Sequence, residues 1–367
     1  MGRQQIPEDF WRGKKVFLTG HTGFKGSWLS LWLAKLGAKV TGFAREPDTT
    51  PNLFDLARVG SMMGGKSIIS DIRDREKLLQ AIQTTRPDIV IHMAAQPLVR
   101  YSYLHPVETY ETNVMGTVNL LEAVRAVDSI KACVVVTTDK CYENQEREAG
   151  YSEGDPMGGY DPYSSSKGCA ELIVSAYQRS YFPVAKYAEH GLAIATARAG
   201  NVIGGGDWSL DRLVPDAMRA FEQGTSLIVR NPGSTRPWQH VLEPLSGYLI
   251  LAQSLYEQGC AYNGPWNFGP PDVDAISVAE IVRLLAKKRA GASIVQYPES
   301  VQPHEANFLK LVSLKAQDRL SWRPKWRIAA ALDHVSSWHS AHNDGKDMQA
   351  FTLEQIQTYL TLDKVNL

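Results

Sequence analysis

The stretch VFLTGHTGFKG, residues 16–26, decides the fold of this chain. It begins with an apolar run that is typical of a buried strand, and its glycines, Gly20, Gly23 and Gly26, follow a G-x-x-G-x-x-G spacing. The helical pattern SWLSLWLAKL comes next, over residues 27–36. Glycines in a turn between a strand and a helix let the backbone approach a pyrophosphate, which the free N–H groups of the helix N-terminus bind. The stretch therefore predicts a strand–turn–helix unit that binds a dinucleotide.

Similar units extend outward from this stretch. Helical patterns at residues 74–84 and 106–127 alternate with short apolar runs, which lie at residues 40–44, 67–70, 88–95, 132–137 and 192–199. Continuous apolar strands joined by helices indicate a parallel sheet that is covered on both faces. We predict an α/β fold with a Rossmann-type doubly wound parallel sheet. Its domain is expected to span residues 1–200, with parts of residues 238–275 returning to it.

The pattern changes after three consecutive glycines, residues 204–206. Helices are predicted at residues 212–223, 243–258 and 277–290, and short strands at residues 226–230 and 293–297. We predict that residues 201–367 form mainly a smaller C-terminal α+β lobe, which binds the substrate.

Charge and cysteine content exclude several classes of protein. Among the 367 residues, Lys and Arg number 39 and Asp and Glu also number 39, which argues against a nucleic acid or an acidic membrane as a partner. The four cysteines show no C-x-x-C spacing, so a zinc ribbon or a redox dithiol is not expected and a reducing compartment fits best. No apolar stretch has the length of a membrane span, and the N-terminal residues lack the apolar segment of a signal peptide. We expect a cytoplasmic protein.

Two further patterns are not interpreted as binding sites. The string GSMMGGKS, residues 60–67, fits a phosphate-binding loop, but a helical pattern precedes it and a strand follows, which inverts the order that such a loop needs. His334, His339 and His342 belong to an amphipathic helix pattern, so no metal site is expected.

The residues after the second and third strands bear on the choice of dinucleotide. An acidic residue about 20 positions after the glycines usually binds the ribose hydroxyls. Glu46 is suited to that role, whereas the neighbouring Arg45 is suited to a 2′-phosphate, so the spacing does not decide between NAD and NADP. Asp71 and Ile72 follow the third strand, where Asp71 is suited to hold the adenine edge, to cap the next helix, or both.

A tyrosine and a lysine in YDPYSSSK, residues 160–167, carry the expected chemistry. Tyr163 and Lys167 are four residues apart, so they share one face of a helix. An ammonium near a phenol lowers the pKa of the phenol, which makes tyrosine a usable base at neutral pH. The fifth strand ends in TTDK, residues 137–140. Because ligands of open α/β sheets bind beyond the carboxyl ends of the strands, we expect both groups to meet in one site.

These motifs resemble those of the extended short-chain dehydrogenase/reductases, over about residues 14–340. The resemblance includes the glycine spacing, the Tyr163–Lys167 pair, an Ala-Ala segment at residues 94–96 and Asn113 in the following helix. Within the family, the sugar-nucleotide 4,6-dehydratases that act on CDP-glucose are most similar, by the strings GHTGFKGSWL, TTDKCY, GNVIGGGDW, RPWQHVLEPL and WNFG.

The resemblance implies NAD as the cofactor. It implies contacts from the glycine turn, from the ends of three strands and from two helices: Gly20, His21, Thr22, Gly23, Phe24, Lys25, Gly26, Arg45, Asp71, Ile72, Ala94, Ala95, Gln96, Asn113, Tyr163 and Lys167. For two of these, His21 and Lys25, the residues themselves leave open whether the side chain faces the pyrophosphate or the solvent.

The implied reaction is the loss of one water from CDP-D-glucose, which gives CDP-4-dehydro-6-deoxy-D-glucose. Tyr163 would take the proton of the C4 hydroxyl, Thr138 would hydrogen-bond that hydroxyl, and Asp139 would be the acid for the departing C6 hydroxyl. In related dTDP-glucose dehydratases the next residue is a glutamate base, but here it is Lys140. Lys140 is therefore either the C5 base or only an ion-pair partner of Asp139 or a substrate contact.

The resemblance also implies a set of substrate contacts. Asn201, Arg236 and Asn267 correspond to diphosphate-binding residues. Arg212, Leu213 and Val214 begin the helix predicted at residues 212–223, and the resemblance implies that they contact the nucleotide base. His304 and Lys310 lie in a segment that is implied to close over the nucleotide.

Other functions and an assembly follow from the same patterns. An epimerase, a dehydratase for another sugar nucleotide, or a dinucleotide sensor without catalysis would have the same fold. The family implies a homodimer through a four-helix bundle, to which residues 106–127 and the helix from Tyr163 contribute. The implied product is typical of deoxysugar synthesis for bacterial surface polysaccharide such as the O-antigen.

Overall fold

A seven-stranded parallel sheet forms the centre of the molecule, which is described by a computed structural model over residues 6–288, 293–296 and 306–362. The strand order is β11-β6-β5-β4-β1-β2-β3. This order confirms the doubly wound Rossmann-type fold that the sequence predicts. The strands of the described residues are β1 Lys15–Thr19, β2 Lys39–Ala44, β3 Gly64–Ile69, β4 Ile89–His92, β5 Ala132–Val136, β6 Ala193–Ala199, β7 Val202–Ile203, β8 Ser226–Val229, β9 Thr235–Pro237, β10 Gln239–His240, β11 Gly264–Phe268, β12 Ala275–Ser277 and β13 Ser293–Gln296.

Helices cover both faces of the sheet and build the C-terminal part. In the described residues they are α1 Glu8–Trp11, α2 Phe24–Lys35, α3 Leu53–Leu56, α4 Val59–Met62, α5 Arg75–Thr85, α6 Val99–Leu104, α7 Pro106–Tyr110, α8 Gly116–Arg125, α9 Pro162–Ser180, α10 Tyr187–His190, α11 Leu213–Glu222, α12 Leu242–Gln258, α13 Val278–Ala286, α14 Leu314–Arg319, α15 Ile328–Asn343 and α16 Met348–Thr361. Among the described residues, no helix is long and apolar enough to cross a membrane.

The apolar strands bury both faces of the sheet because successive side chains point to opposite sides. Val16 and Leu18 of β1 belong to a core on one face, which α2 and α12 cover. Phe17 lies between them in sequence and belongs to a second core on the other face, with residues of α5 and α8. Two cores on one sheet explain why the strands read as continuous apolar runs rather than as an alternating pattern.

Two predicted elements differ from the observed ones. The predicted helix at 106–127 is α7, a π-helical turn at Glu111–Met115, and α8. The predicted strand at 67–70 begins earlier, at Gly64, so that residues 60–67 run from α4 into β3. A helix thus precedes and a strand continues through the string that fits a phosphate loop, and Lys66 is exposed on β3. This is the inverted order that the sequence indicates.

The C-terminal part has its own core, but some of it returns to the main sheet. Helices α11, α13 and α15 pack around the short parallel pair β8–β13, and β9 pairs with β12 in antiparallel orientation. Strand β11 pairs in parallel with β6, and α12 shares the first core with β5. The division at residue 200 remains a prediction. Strand β11 and α12 follow residue 200 in the sequence but pack with the main sheet.

Candidate active site

A cleft of about 680 Å³ runs along the carboxyl edge of the sheet. The glycine turn, the ends of β2, β4, β5 and β6, the first turns of α9 and α11, and the loop after β8 line it. Strand β1 lies between β2 and β4, where the chain turns to opposite sides of the sheet. Crevices at this position are where open α/β sheets bind ligands.

The glycine turn brings backbone against backbone at one end of the cleft. A Cβ on Gly26 would lie 1.9 Å from the carbonyl oxygen of Gly20, and a Cβ on Gly20 would lie 2.7 Å from the backbone nitrogen of Ala94. Gly20 also has a φ of +79°. Gly23 is the N-cap of α2, so the first turn of this helix directs its free N–H groups at the cleft. Such an end fits a diphosphate.

The His21 side chain takes neither of the two directions that the sequence leaves open, toward the pyrophosphate or toward the solvent. The imidazole is fully buried, and its Nε2 lies 2.7 Å from the Ser67 hydroxyl of β3. It fills the space above Gly42, where a Cβ would lie 2.2 Å from the ring. Burial lowers the pKa of His21 to about 4, so the ring is neutral at pH 7. A neutral, buried ring serves packing between β2 and β3 rather than anion binding.

Lys25 and Thr22 do line the cleft. Burial, with Lys167 and Arg212 nearby, lowers the pKa of Lys25 to about 7. The Lys25 ammonium lies 5.9 Å from the centroid of the Tyr248 ring. The Thr22 hydroxyl donates a 2.7 Å hydrogen bond to the carbonyl of Arg45 and ties the glycine turn to the end of β2.

The far end of the cleft favours a ribose over a ribose phosphate. Arg45 lies 3.3 Å from Glu108 and 3.5 Å from Asp48. Arg73 makes an ion pair of 2.7 Å with Asp71, and this pair holds the pKa of Asp71 below its usual value. Both arginines are thus engaged by carboxylates, so a 2′-phosphate would have to displace them. This arrangement favours NAD, which the sequence spacing left open.

Asn113 supports the cleft without lining its described part, contrary to the expected cofactor contact. Its amide oxygen accepts from the Gln96 backbone N–H (2.8 Å), and its Nδ2 donates to the Gln96 carbonyl (3.0 Å) and to the Ser166 hydroxyl (2.8 Å). Asn113 is buried in the π-helical turn, which faces both partners. It therefore fixes the loop after β4 to α9, while Ala94, Ala95 and Gln96 line the cleft.

The five predicted catalytic residues all line the same part of the cleft. The Thr138 hydroxyl donates a 3.0 Å hydrogen bond to Oδ1 of Asp139. Oδ2 of Asp139 is buried and has no hydrogen-bond partner among the described residues. Burial raises the pKa of Asp139, against the opposing effects of Lys140, Thr138 and Arg236. A carboxyl whose pKa is raised keeps its proton to a higher pH than a free carboxyl, which suits a proton donor.

Tyr163 does not show the lowered pKa that its spacing from Lys167 predicts. Burial, aided by the charge of Asp139, raises the pKa of Tyr163 to about 12, and a hydrogen bond with Thr138 and the charge of Arg212 only partly oppose this. The Lys167 ammonium donates to the Val136 carbonyl at 3.1 Å, and burial lowers its own pKa to about 8. The phenol is therefore protonated at neutral pH in this structure, because removal from water outweighs the nearby cations.

The C-terminal part contributes most of the predicted substrate contacts. Asn201, Leu213 and Val214 line the cleft, as do Arg212 and Arg236. Arg212 is held by a 2.8 Å ion pair with the buried Asp207, and its charge reaches Tyr163. Arg236 is buried and donates to the carbonyls of Thr235 (3.0 Å) and Asn307 (3.3 Å), and also to that of Ala306. The cleft thus has cations at both ends.

Two predicted substrate contacts, Asn267 and Lys310, are not among the described residues that line the cleft. Asn267 is fully buried at the end of β11, where Oδ1 accepts from the Tyr142 hydroxyl (2.7 Å) and Nδ2 donates to the carbonyls of Tyr151 (2.9 Å) and Val312 (3.1 Å). These bonds occupy the amide in this structure, and the diphosphate contact that the resemblance implies stays a prediction. Lys310 is bound through its carbonyl to the Tyr151 N–H (2.9 Å). His304 lies outside the described residues.

A group at the mouth of the cleft was not predicted. Asp211 has a φ of +59° and lies 2.7 Å from Arg230 and 3.8 Å from Arg100. The three residues come from α6, from the segment before α11 and from the segment after β8. No local pattern marks them, because only the fold brings the three segments together.

Fold and site together are those of an extended short-chain dehydrogenase/reductase, and the chain belongs to the family described as GDP-mannose 4,6 dehydratase, whose sequence model matches residues 17–335. Among curated relatives, the chain is 53% identical to the CDP-glucose 4,6-dehydratase of Salmonella typhimurium, over 97% of this chain and 99% of that protein. It is 27% identical to the UDP-glucose 4-epimerase of Halalkalibacterium halodurans, over 90% of this chain and 97% of that protein.

Solved structures agree on the fold. The dTDP-glucose 4,6-dehydratase DesIV of Streptomyces venezuelae, solved with NAD bound, superposes with a TM-score of 0.76 at 23% identity, over 91% of this chain and 99% of that one. The UDP-glucose 4-epimerase of Thermotoga maritima gives a TM-score of 0.74 at 20% identity, over 88% of this chain and 97% of that one.

The position of Asn113 leads to a prediction about stability. We expect Asn113→Ala to lower the free energy of unfolding by about 1–3 kcal/mol, because it leaves part-buried backbone groups of Gln96 without the partners they have in the wild type. Denaturant unfolding measures this. Asn119→Ala is the control, since Nδ2 of Asn119 makes only longer contacts, with the Ile72 carbonyl (3.2 Å) and the Arg73 carbonyl (3.4 Å). Equal losses in the two variants would contradict the supporting role of Asn113.

Proposed function

We propose that this protein is an NAD-dependent lyase that converts CDP-D-glucose to CDP-4-dehydro-6-deoxy-D-glucose with loss of one water. The observation that carries the proposal is the buried Asp139 carboxyl, whose pKa is raised, between Thr138 and Lys140 and in the same cleft as Tyr163. A dehydration needs a proton donor for the departing hydroxyl, and the cleft offers one. The 53% identical relative, a CDP-glucose 4,6-dehydratase, supports the choice of substrate.

The glycine turn and the strand ends would hold NAD. The N-terminus of α2 suits its diphosphate. Arg45 and Arg73 are each in an ion pair with a carboxylate, and this arrangement suits an unphosphorylated ribose. Bound NAD supplies the acceptor for the hydride of C4 and the donor of the same hydride to C6. The cofactor is unchanged overall, so the net reaction is an elimination of water.

Tyr163 and Thr138 serve the first half of the reaction. The Tyr163 oxygen takes the proton of the C4 hydroxyl, and the Thr138 hydroxyl orients that hydroxyl. Because burial raises the pKa of Tyr163 to about 12, its phenol must become more acidic when ligands enter the cleft. Lys167 and Arg212 are the cations that the chain directs toward this part of the cleft. Their role is to stabilise the phenolate while the C4–H bond breaks.

Asp139 and Lys140 serve the second half. The 4-ketone acidifies the C5 proton, which Lys140 removes, and the electron pair of that C–H bond forms the C5–C6 double bond as the C6 hydroxyl departs. Asp139 protonates the departing hydroxyl, so that water leaves. The protonated Lys140 gives its proton back to C5 when the hydride is returned to C6. Lys140 lines the cleft directly after Asp139, and it stands where related dTDP-glucose dehydratases have a glutamate. A lysine is a competent base there only in its neutral form.

The alternatives are an epimerase and a sensor without catalysis. An epimerization at C4 needs no proton donor at C6, so it leaves the raised pKa of Asp139 without a use. A sensor has no need of Tyr163 and Lys167 in the cleft. The site therefore favours dehydration over both.

Mass spectrometry of sugar nucleotides tests the proposal. The purified protein is incubated with NAD+ and, in separate reactions, with CDP-glucose, dTDP-glucose, UDP-glucose and GDP-mannose. We expect one water to be lost from CDP-glucose. Tyr163→Phe should retain cofactor binding and lose turnover, because the substitution removes only the hydroxyl that carries the proton.

Other outcomes of this experiment would change the proposal in defined ways. Loss of water from a different nucleotide would keep the reaction and overturn the substrate. Exchange of the C4 configuration without a change of mass would establish an epimerase. Bound NAD(H) with every sugar nucleotide intact would establish a sensor.

Replacement of Lys140 tests its role as the C5 base. We expect Lys140→Ala to allow the first hydride transfer and to slow water loss by about 10²-fold or more, as for the removal of a general base. Bound NADH then accumulates, which its absorbance reports in a stopped-flow experiment. Lys66→Ala is the control, since Lys66 is exposed on β3 and is not among the residues that line the cleft. An unchanged rate of water loss in Lys140→Ala would remove Lys140 from the elimination.

We also propose a homodimer that forms through α7, α8 and α9. Exposed apolar side chains lie on or beside these helices: Val107 on α7, Met115 in the π-helical turn that leads into α8, Leu172 on α9, and Leu104 at the end of α6. An isolated molecule that exposes such a surface on adjacent helices is typical of one that pairs with a second copy.

Light scattering in solution tests the dimer. We expect the wild type at twice 40.7 kDa and Leu172→Glu at 40.7 kDa. Leu314→Glu on α14 is a matched control, because Leu314 and Leu172 are each 59% exposed. A wild-type mass of 40.7 kDa, or equal effects of the two substitutions, would contradict this interface.

We further infer that the protein acts in the cytoplasm, in a pathway to bacterial deoxysugars such as those of the O-antigen. The four cysteines are free, which is typical of a reducing compartment. The ketone of the proposed product is a suitable substrate for a later reductase, aminotransferase or epimerase. Cell fractionation with an antibody against the protein tests the location.

A further inference from the structure

A buried ion pair lies directly behind the catalytic residues. Glu171 on α9 and Arg198 on β6 are both almost inaccessible to solvent. Two parallel hydrogen bonds join them: Arg198 donates from Nε to Oε1 at 2.9 Å and from Nη2 to Oε2 at 2.8 Å. Burial of two charges is costly unless hydrogen bonds satisfy them, so such a pair holds the elements around it in one arrangement.

The carboxylate side of this pair reaches the residue before the catalytic turn. The Thr137 hydroxyl donates to Oε1 of Glu171 at 2.5 Å, and the Thr196 hydroxyl donates to Oε2 at 2.6 Å. Thr137 is followed immediately by Thr138, Asp139 and Lys140. Glu171 is also four residues after Lys167 and eight after Tyr163, so the three side chains share one face of α9.

The guanidinium side reaches the residue after the turn. Arg198 donates from Nη1 to the Tyr142 hydroxyl at 2.7 Å, and that hydroxyl donates to Asn267 at 2.7 Å. Tyr142 directly follows the 3-10 turn Asp139–Cys141. Two residues after Arg198, Gly200 comes so close to the turn that a Cβ there would lie 3.1 Å from Oδ2 of Asp139. The turn is therefore bracketed by hydrogen bonds on both sides, and both end on one ion pair.

We propose that Glu171 and Arg198 are positioning residues, which set the turn of Asp139 and Lys140 against Tyr163 and Lys167 on α9. The proposal rests on the proposed dehydration, and it assigns Thr137 and Tyr142 as the two links through which the pair acts. Neither Glu171 nor Arg198 lines the described part of the cleft. Their effect on the reaction is through geometry.

The Asp139 side chain has fewer anchors of its own than the start of α9, which carries Tyr163. The start of α9 has other anchors: the Ser102 hydroxyl accepts from the Tyr163 N–H (3.1 Å), Asp161 caps the helix at Ser164 (2.9 Å), and Asn113 binds Ser166 (2.8 Å). The carboxylate of Asp139, by contrast, is bound only by Thr138 among the described residues. Loosening the links should thus displace the elimination residues while Tyr163 stays in place.

Single hydroxyl deletions test the proposal. The variants are Thr137→Val and Tyr142→Phe. Each has a matched control: Thr196→Val removes the other hydroxyl bound to Glu171, away from the turn. The ring of Tyr151 stacks on that of Tyr142, with 5.2 Å between the ring centroids, but the Tyr151 hydroxyl binds Asn144 rather than Arg198. Tyr151→Phe removes this hydroxyl.

We expect the two linked variants to slow water loss by about 10-fold or more, since small misplacements of catalytic groups have effects of this size. They should transfer the first hydride at the wild-type rate, so bound NADH accumulates during turnover of CDP-glucose. KM should stay within about 2-fold of the wild type, because the substrate contacts of the cleft are unchanged. The two control variants should show the wild-type ratio of bound NADH to product.

Three outcomes would count against parts of this reasoning, and they are distinguishable. If linked and control variants lower thermal stability equally and leave the NADH-to-product ratio unchanged, the ion pair is structural only and the proposal is wrong. If both half-reactions slow together, the pair does not act on the turn selectively, and the proposal is also wrong. If the wild type removes no water from CDP-glucose, the proposed function fails, and the positioning role falls with it.

Discussion

At the glycine turn, α2 begins so close to the end of β1 that a single Cβ on Gly26 would lie 1.9 Å from the carbonyl oxygen of Gly20. Backbone contact without side chains brings the N-terminus of α2 to the edge of the sheet. The backbone of Gly20 also packs closely against that of Ala94, and this contact fixes the loop after β4. Asn113 then links that loop to α9, which carries Tyr163. The dinucleotide end and the catalytic end of the cleft are therefore parts of one chain of contacts.

The patterns of the sequence predict the fold because apolar runs and helix periodicity are local properties. The parallel sheet, the glycine turn before α2, and the presence of residues 137–140 and Tyr163 in one cleft all follow from local patterns and the rule for carboxyl ends. Side-chain direction is less local. For His21 the sequence leaves open the pyrophosphate or the solvent, but Gly42 on the neighbouring strand leaves a space that the imidazole fills. The amide of Asn267 binds Tyr142 and two loops, which no pattern in the sequence indicates.

Protonation states depend on burial, which a spacing rule does not contain. Tyr163 and Lys167 both line the cleft, but burial raises the pKa of Tyr163 where the four-residue spacing predicts a lowered one. In the structure, the pKa of Tyr163 rises to about 12 and that of Lys167 falls to about 8, each because its charged form loses water. Lys25 follows the same rule, with a pKa of about 7. The cleft disfavours charge on its own residues, and a charged ligand changes that balance when it enters.

The unpartnered oxygen of Asp139 has a consequence for the evolution of the chain. A buried polar atom without a hydrogen bond destabilises a fold by roughly 1–3 kcal/mol, and Oδ2 of Asp139 is such an atom among the described residues. Selection for thermal robustness alone would favour a smaller or apolar residue at this position. The Asp139 carboxyl therefore lowers the stability of the fold, and only its chemistry offsets that loss.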